Sequence, residues 1–260
     1  MSEPVLQIEK SEGIATVTMN RPKVLNALSS ELLLALKDTF EELKNSPEIE
    51  VVILSGIGRA FSVGLDFKEI SEIKGPFAES KLSEATFGCF PAIERFDRPI
   101  IGAINGAAIT GGFEIALTCD MLIATENARF SDTHVRVGIL PGAGLSQKLS
   151  RIIGINRARE LSLTGNFINA AQAEAWGLVN RIVEEDKLIP ACRNLAKEII
   201  TNDSKMVKSY LKLINQGYQE NLSEGFELEQ EMHHQASLNS GSQIDSDQLQ
   251  TVKNRGRQQK

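Results

Sequence analysis

Two β-rich runs open the chain, Val5–Glu9 and Ile14–Met19, with Lys10-Ser11-Glu12-Gly13 between them. That spacing predicts a hairpin. Leu32, Leu33, Leu36, Phe40 and Leu43 then recur at helical intervals, behind an N-cap at Ser29 or Ser30 and with Glu31 in the first turn. Val51–Leu54 is a short β-branched run closed by Ser55-Gly56-Ile57-Gly58. The first sixty residues therefore read strand, strand, helix, strand. The unit recurs: Ile100–Ile104 is a strand, Gly111-Gly112 open a helix through about Thr118, and Met121–Ala124 is a strand again. Apolar strands without polar alternation, set between helices, predict an α/β fold with a sheet covered on both faces. Identity between the two units is too low to mark a repeat.

After Pro141 the pattern changes. Leu145–Arg151, Arg157–Leu163 and Ala170–Trp176 read as short helices stopped by Gly154, Gly165 and Gly177, and Val179–Val183 as a last strand. From Asp186 the chain reads as helix. Leu188, Cys192, Leu195 and Ile199 form one stripe, Met206, Tyr210 and Leu213 another, and Asn221 to about Leu238 a weaker third. The tail after Ser240 is polar, with Leu249 and Val252 as sparse apolar positions. This divides the chain into a core over 1–185 and a helical segment over 186–260. The modest apolar faces of that segment suit either its own core or a subunit interface.

Composition narrows the function classes. The chain has 260 residues, with 28 Lys+Arg against 34 Asp+Glu and a formal net charge of −6. That excess of acid argues against nucleic acid or an anionic membrane as the main partner, and requires a local basic rim for any anionic ligand. Cys89, Cys119 and Cys192 are scattered and odd in number, which points to a reducing, cytoplasmic setting and away from a disulfide framework or zinc knuckle. The opening MSEPVLQIEK has neither a basic nor an apolar signal region. The long apolar tract Ile100–Ala124 is broken by Asn105, Glu114 and Asp120 and reads as core, with no membrane insertion expected.

Several motifs fail. Gly56-Ile57-Gly58 begins a dinucleotide fingerprint but lacks its third glycine, and Gly106–Gly111 has P-loop spacing without the Lys-Ser/Thr. His233-His234 are adjacent, face different ways on a helix, and read as a solvated pair. The tract Ile100–Asp120 holds. A buried strand leads through a glycine-rich loop to Gly111-Gly112 and an apolar helix, whose free N–H groups can face a developing oxyanion. Glu114 stands there among Phe113, Ile115, Ala116 and Leu117. Such surroundings raise a carboxyl pKa and suit proton transfer, although a glutamate near a helix N-terminus also serves the dipole.

GAINGAAITGGFEIALTCD resembles the signature of the enoyl-CoA hydratase/isomerase (crotonase) family. RPKVLNAL (Arg21–Leu28), GRAFSVGLDFKEI (Gly58–Ile70) and VGILPGAGLSQKL (Val137–Leu149) resemble further family segments in the same order, and the similarity continues through Leu161–Val183. The resemblance implies a crotonase-like spiral of ββα units with C-terminal helices that build homotrimers, often paired into hexamers. It implies backbone N–H donors at Leu65 and Gly111 for a thioester oxygen, and Glu114 as the first catalytic carboxylate. Lys23, Val24 and Leu25 match one wall of the coenzyme A site; Arg59, Val63, Asp66, Phe67 and Lys68 match the other. Coenzyme A is then part of an acyl-CoA substrate, and neither a separate cofactor nor a metal is expected.

The chain departs from the family where two-glutamate hydratases carry their second glutamate. That position holds His134, two residues after Asp132, and the last glycine of the PGxGG stretch is Leu145. The resemblance implies hydration of a 2-enoyl-CoA, with Glu114 as base and His134 or Asp132 in the second role. Two other readings follow from the loss of a carboxylate: a double-bond isomerase using Glu114 alone, and an acyl-CoA-binding protein without turnover.

Overall fold

The computed structural model describes residues 3–239 together with 250, 253, 254 and 257. Leu249 and Val252 lie outside the described residues. Two compact units emerge, Met1–Val207 and Lys208–Lys260.

Among the described residues, the first unit contains ten strands: β1 (Leu6–Ser11), β2 (Ile14–Met19), β3 (Val51–Gly56), β4 (Ala60–Ser62), β5 (Ile100–Ile104), β6 (Ala107–Ile109), β7 (Met121–Thr125), β8 (Arg129–Ser131), β9 (Phe167–Asn169) and β10 (Arg181–Val183). The predicted hairpin is β1 against β2, antiparallel, turned by Glu12 and Gly13, both with positive φ. That is the turn geometry matched to strand twist. Six strands form one sheet in the order β1-β2-β3-β5-β7-β10, and β4-β6-β8-β9 form a second. The pairs β3/β4, β5/β6 and β7/β8 each place a strand in the large sheet and the next in the small one. These successive ββα turns make the expected spiral.

β3 and β5 are buried at every position, which is why they carry no polar alternation. One face of the large sheet packs on the helix Ser30–Lys44, which Ser29 caps and which buries Leu32, Leu33, Leu36, Phe40 and Leu43. Each such side chain contributes about 1.5–3 kcal/mol of burial. The other face, Ile14, Val51, Ile53, Ile101 and Ile123, is covered by Leu188, Cys192 and Ala196 of the helix Leu188–Ile200. That helix therefore belongs to the first unit, and the division falls between Val207 and Lys208 and not at 185/186.

The second unit holds the rest of the helix Ser204–Gly217 and the helix Leu222–Asn239. Tyr210, Ile214 and Tyr218 repeat every four residues and are exposed, as are Leu222 and Phe226. His233 and His234 are exposed, as expected. Among the described residues, no helix is long and apolar enough to cross a membrane.

Candidate active site

The small sheet builds the site. β6 ends at Ile109 and delivers the chain to Thr110 and then to the helix Gly111–Ala116. That helix starts against β4 so closely that a Cβ on Gly112 would lie 2.1 Å from the Ser62 carbonyl oxygen. Close approach is therefore the task of Gly112. Gly111 would meet only ordinary contacts, 3.4 Å from Leu28 Cδ1 and 3.6 Å from the Leu65 amide nitrogen. The loop carrying Leu65 is held to the 20s loop by hydrogen bonds from Leu28 N–H to Gly64 O (2.8 Å) and from Asp66 N–H to Leu28 O (3.1 Å). Leu65 and Gly111 thus come side by side, and among the described residues neither N–H has an acceptor.

Both residues line a cavity of about 480 Å³ within the first unit. Its walls are Ile70, Phe77, Phe87, Phe90, Ile109, Val137, Ile139 and Leu140, with Glu114, His134, Thr86, Thr110 and Thr133 as the polar side chains. Such a lining suits an apolar ligand held by a few polar groups.

Glu114 is 4% exposed, His134 5% and Asp132 2%, so three titratable groups are buried together. Glu114 Oε1 accepts the Ala143 N–H at 2.8 Å. Burial pushes its carboxyl above the ordinary glutamate value; the N–H groups of Ala143 and Leu145 only partly offset this. His134 Nε2 stands 3.7 Å from Glu114 Oε2. Its Nδ1 lies 2.6 Å from Asp132 Oδ1, which also accepts the His134 backbone N–H at 3.2 Å. Burial works to raise the Asp132 pKa, but hydrogen bonds from His134 and Ser162 outweigh it and hold the carboxyl below its ordinary value. An ionised Asp132 only accepts, so Nδ1 carries the hydrogen and Nε2 is the atom turned to Glu114.

The residues expected at the coenzyme A loops divide. Val63 and Phe67 line the cavity. Lys23, Val24, Arg59 and Lys68 are exposed outside it, and Leu25 is half-buried with φ +56°. Pro22 packs on Gly58, with its Cβ 3.2 Å from a Cβ built there, so Lys23 and Arg59, the next residues, bracket one corner. Among the described residues, no ion-pair partner occupies Lys23, Arg59 or Lys68. Asp66 is buried, pairs with Arg21 at 2.8 Å and caps the helix Phe67–Glu72, which makes it a strut of the loop. Sequence reasoning missed the Ala143 amide and the walls from Phe77 to Phe90, since their partners lie far away in the chain.

A buried acid–base site facing two free backbone amides, on a fold of successive ββα turns, is what these features define. The chain matches the profile of the enoyl-CoA hydratase/isomerase family over residues 9–248, and it belongs to that family. It is 43% identical over 236 residues to a probable peroxisomal enoyl-CoA hydratase 1 of Arabidopsis thaliana, covering 90% of this chain and 87% of the relative. It is 34% identical to a crotonyl-CoA hydratase of Syntrophomonas wolfei, over 85% of each chain. The solved enoyl-CoA hydratase of Bacillus anthracis superposes with a TM-score of 0.87 at 30% identity, over 96% of both chains.

Proposed function

We propose that this protein hydrates 2-enoyl-CoA thioesters to 3-hydroxyacyl-CoA. The carrying observation is the placement of Glu114 Oε2 and His134 Nε2, 3.7 Å apart in one cavity with two unpaired amides. That distance is too long for a good direct hydrogen bond but lets one water donate to both atoms at about 2.8 Å. The water's lone pair then faces substrate. Its oxygen adds to Cβ, one proton passes to Glu114, and Glu114 returns that proton to Cα. The thioester oxygen gains charge in between and is stabilised by the Leu65 and Gly111 N–H groups. His134 holds the water; Asp132 holds His134 in the tautomer that accepts at Nε2. Lys23, Arg59 and Lys68 supply the basic rim for the coenzyme A phosphates, with Val24, Leu25, Val63 and Phe67 as apolar wall. Coenzyme A enters with the substrate, and this chemistry needs no further cofactor.

The test is incubation with crotonyl-CoA, a longer 2-enoyl-CoA and a 3-enoyl-CoA. Hydration removes the conjugated absorbance of the first two. Appearance of conjugation from the third alone supports the isomerase reading, and binding without turnover of any supports the carrier reading.

The glycine pair separates structure from chemistry. Gly112→Ala forces a Cβ onto the Ser62 backbone and is expected to lose about 1–3 kcal/mol of stability or more. At Gly111 a Cβ meets only ordinary contacts, and the branched side chain of Gly111→Val fills the space facing the Leu65 amide. Turnover is expected to drop more than tenfold, against about 2.7–4 kcal/mol for a lost oxyanion donor. Thermal denaturation and a turnover assay on both variants check this.

The exposed stripe Tyr210, Ile214 and Tyr218 supports self-association through the C-terminal helices; a trimer or a dimer of trimers is the assembly that the family resemblance implies. Light scattering at micromolar concentration is expected to give one of those masses; a monomer rejects it. Three unpaired thiols fit a reducing setting, and a cytoplasmic location is proposed with it. Fractionation of cells expressing the tagged chain checks the compartment.

A further inference from the structure

Thr110, the residue before Gly111, has φ +52° and ψ −115°. For a β-branched residue that is a true outlier, and such strain persists only where the surroundings over-determine it. Here every polar group of Thr110 is engaged. Its N–H donates to Ser131 O at 2.9 Å, its carbonyl accepts the Glu114 N–H at 2.9 Å, and its hydroxyl shares a hydrogen bond with the Thr133 hydroxyl. A glycine would take the same dihedrals without strain. What threonine adds is the hydroxyl.

Two consequences follow from planarity and connectivity. The ψ angle of Thr110 sets the plane of the next peptide, and so the direction of the Gly111 N–H. Thr133 directly precedes His134 at the start of the short helix His134–Val137. Beyond the β6–β8 pairing, this hydroxyl pair therefore adds a side-chain tie between the turn that aims an amide and the turn that carries the histidine, and both threonines line the cavity.

We propose that Thr110 and Thr133 are positioning residues whose hydroxyl clasp aims the Gly111 N–H at the thioester oxygen and fixes it relative to His134. This rests on the hydration reading above. Thr133→Val removes the clasp while leaving Glu114, His134 and both amides in place. Its kcat on crotonyl-CoA is expected to fall about tenfold to hundredfold, the scale of a small misplacement, with KM little changed. Thr133→Ser, which restores the hydroxyl, should recover most of that loss. Thr110→Gly should melt no lower than wild type, since strain is relieved, and still lose kcat. A clasp that only stabilises the fold would do the reverse, lowering the melting temperature at constant kcat. Wild-type kcat in either Thr133→Val or Thr110→Gly overturns the proposal; if Thr133→Val fails to fold, Thr110→Gly decides. Should the wild type hydrate no enoyl-CoA, the hydration reading fails separately. The clasp is then read by hydrogen exchange of the Gly111 amide, faster in the variants if it holds and unchanged if it does not.

Discussion

Glu114→Gln is expected to reduce hydration by about 10²–10⁴-fold, the range of a positioned general acid or base. Glutamine keeps the shape, and its oxygen can still accept the Ala143 N–H, so acyl-CoA affinity should barely move. The same variant should melt no lower than wild type at neutral pH. Folding raises the Glu114 pKa above 4.5 because burial disfavours its charge. A raised acid opposes folding once pH passes its unfolded value, and does so fully above its native value. Removing the charge thus stabilises the neutral-pH protein, and the difference closes below about pH 4.5. In the wild type, kcat/KM should fall on acidification at a pH above that of an ordinary glutamate, because the base is lost there. Steady-state rates and melting curves across pH check both halves. A Glu114→Gln enzyme with wild-type turnover would remove Glu114 from the mechanism.

The long elements were legible in the sequence because their periodicity spans several turns or a whole buried strand. β2, β5 and the helix from Ser30 follow from apolar spacing and a serine cap. The small sheet was not legible from pattern. β4, β6, β8 and β9 have three residues each, too few for an alternation to register, and glycines and serines around them read as loop. That sheet positions the site, so residue spacing alone could not assemble it. The helix Lys81–Glu94 went unread although Leu82, Ala85, Cys89 and Ile93 keep helical spacing behind Ser80; Pro91 inside it obscures the signal. Glu114 was legible as a carboxylate in apolar company. Its Ala143 partner was not, since that amide comes from a segment joined to it only by the fold, and His134 was reached only through the resemblance. Position 134 was marked by the resemblance as a departure, and its geometry turns that departure into a Glu–His–Asp arrangement.

His134→Ala is expected to lower hydration by about 10²-fold, because the water keeps one acceptor and loses its orientation. Asp132→Asn probes the same step without removing the ring. An asparagine can donate through its amide nitrogen, which lets Nδ1 become the acceptor and places the hydrogen on Nε2, facing Glu114. The water then loses its second acceptor although every ring atom stays in place, so the loss should approach that of His134→Ala. Stability gives an independent reading. Folding lowers the Asp132 pKa below 3.8, so this group stabilises the protein above that value and the contribution disappears as pH falls through its native value. Asp132→Asn should therefore melt lower than wild type at neutral pH and converge with it in acid, opposite in sign to Glu114→Gln. Isomerisation of a 3-enoyl-CoA uses no water. An enzyme that isomerises should keep that activity in His134→Ala, whereas a hydratase dependent on the pair loses hydration in both variants. Full hydration in Asp132→Asn together with His134→Ala would leave Glu114 acting alone.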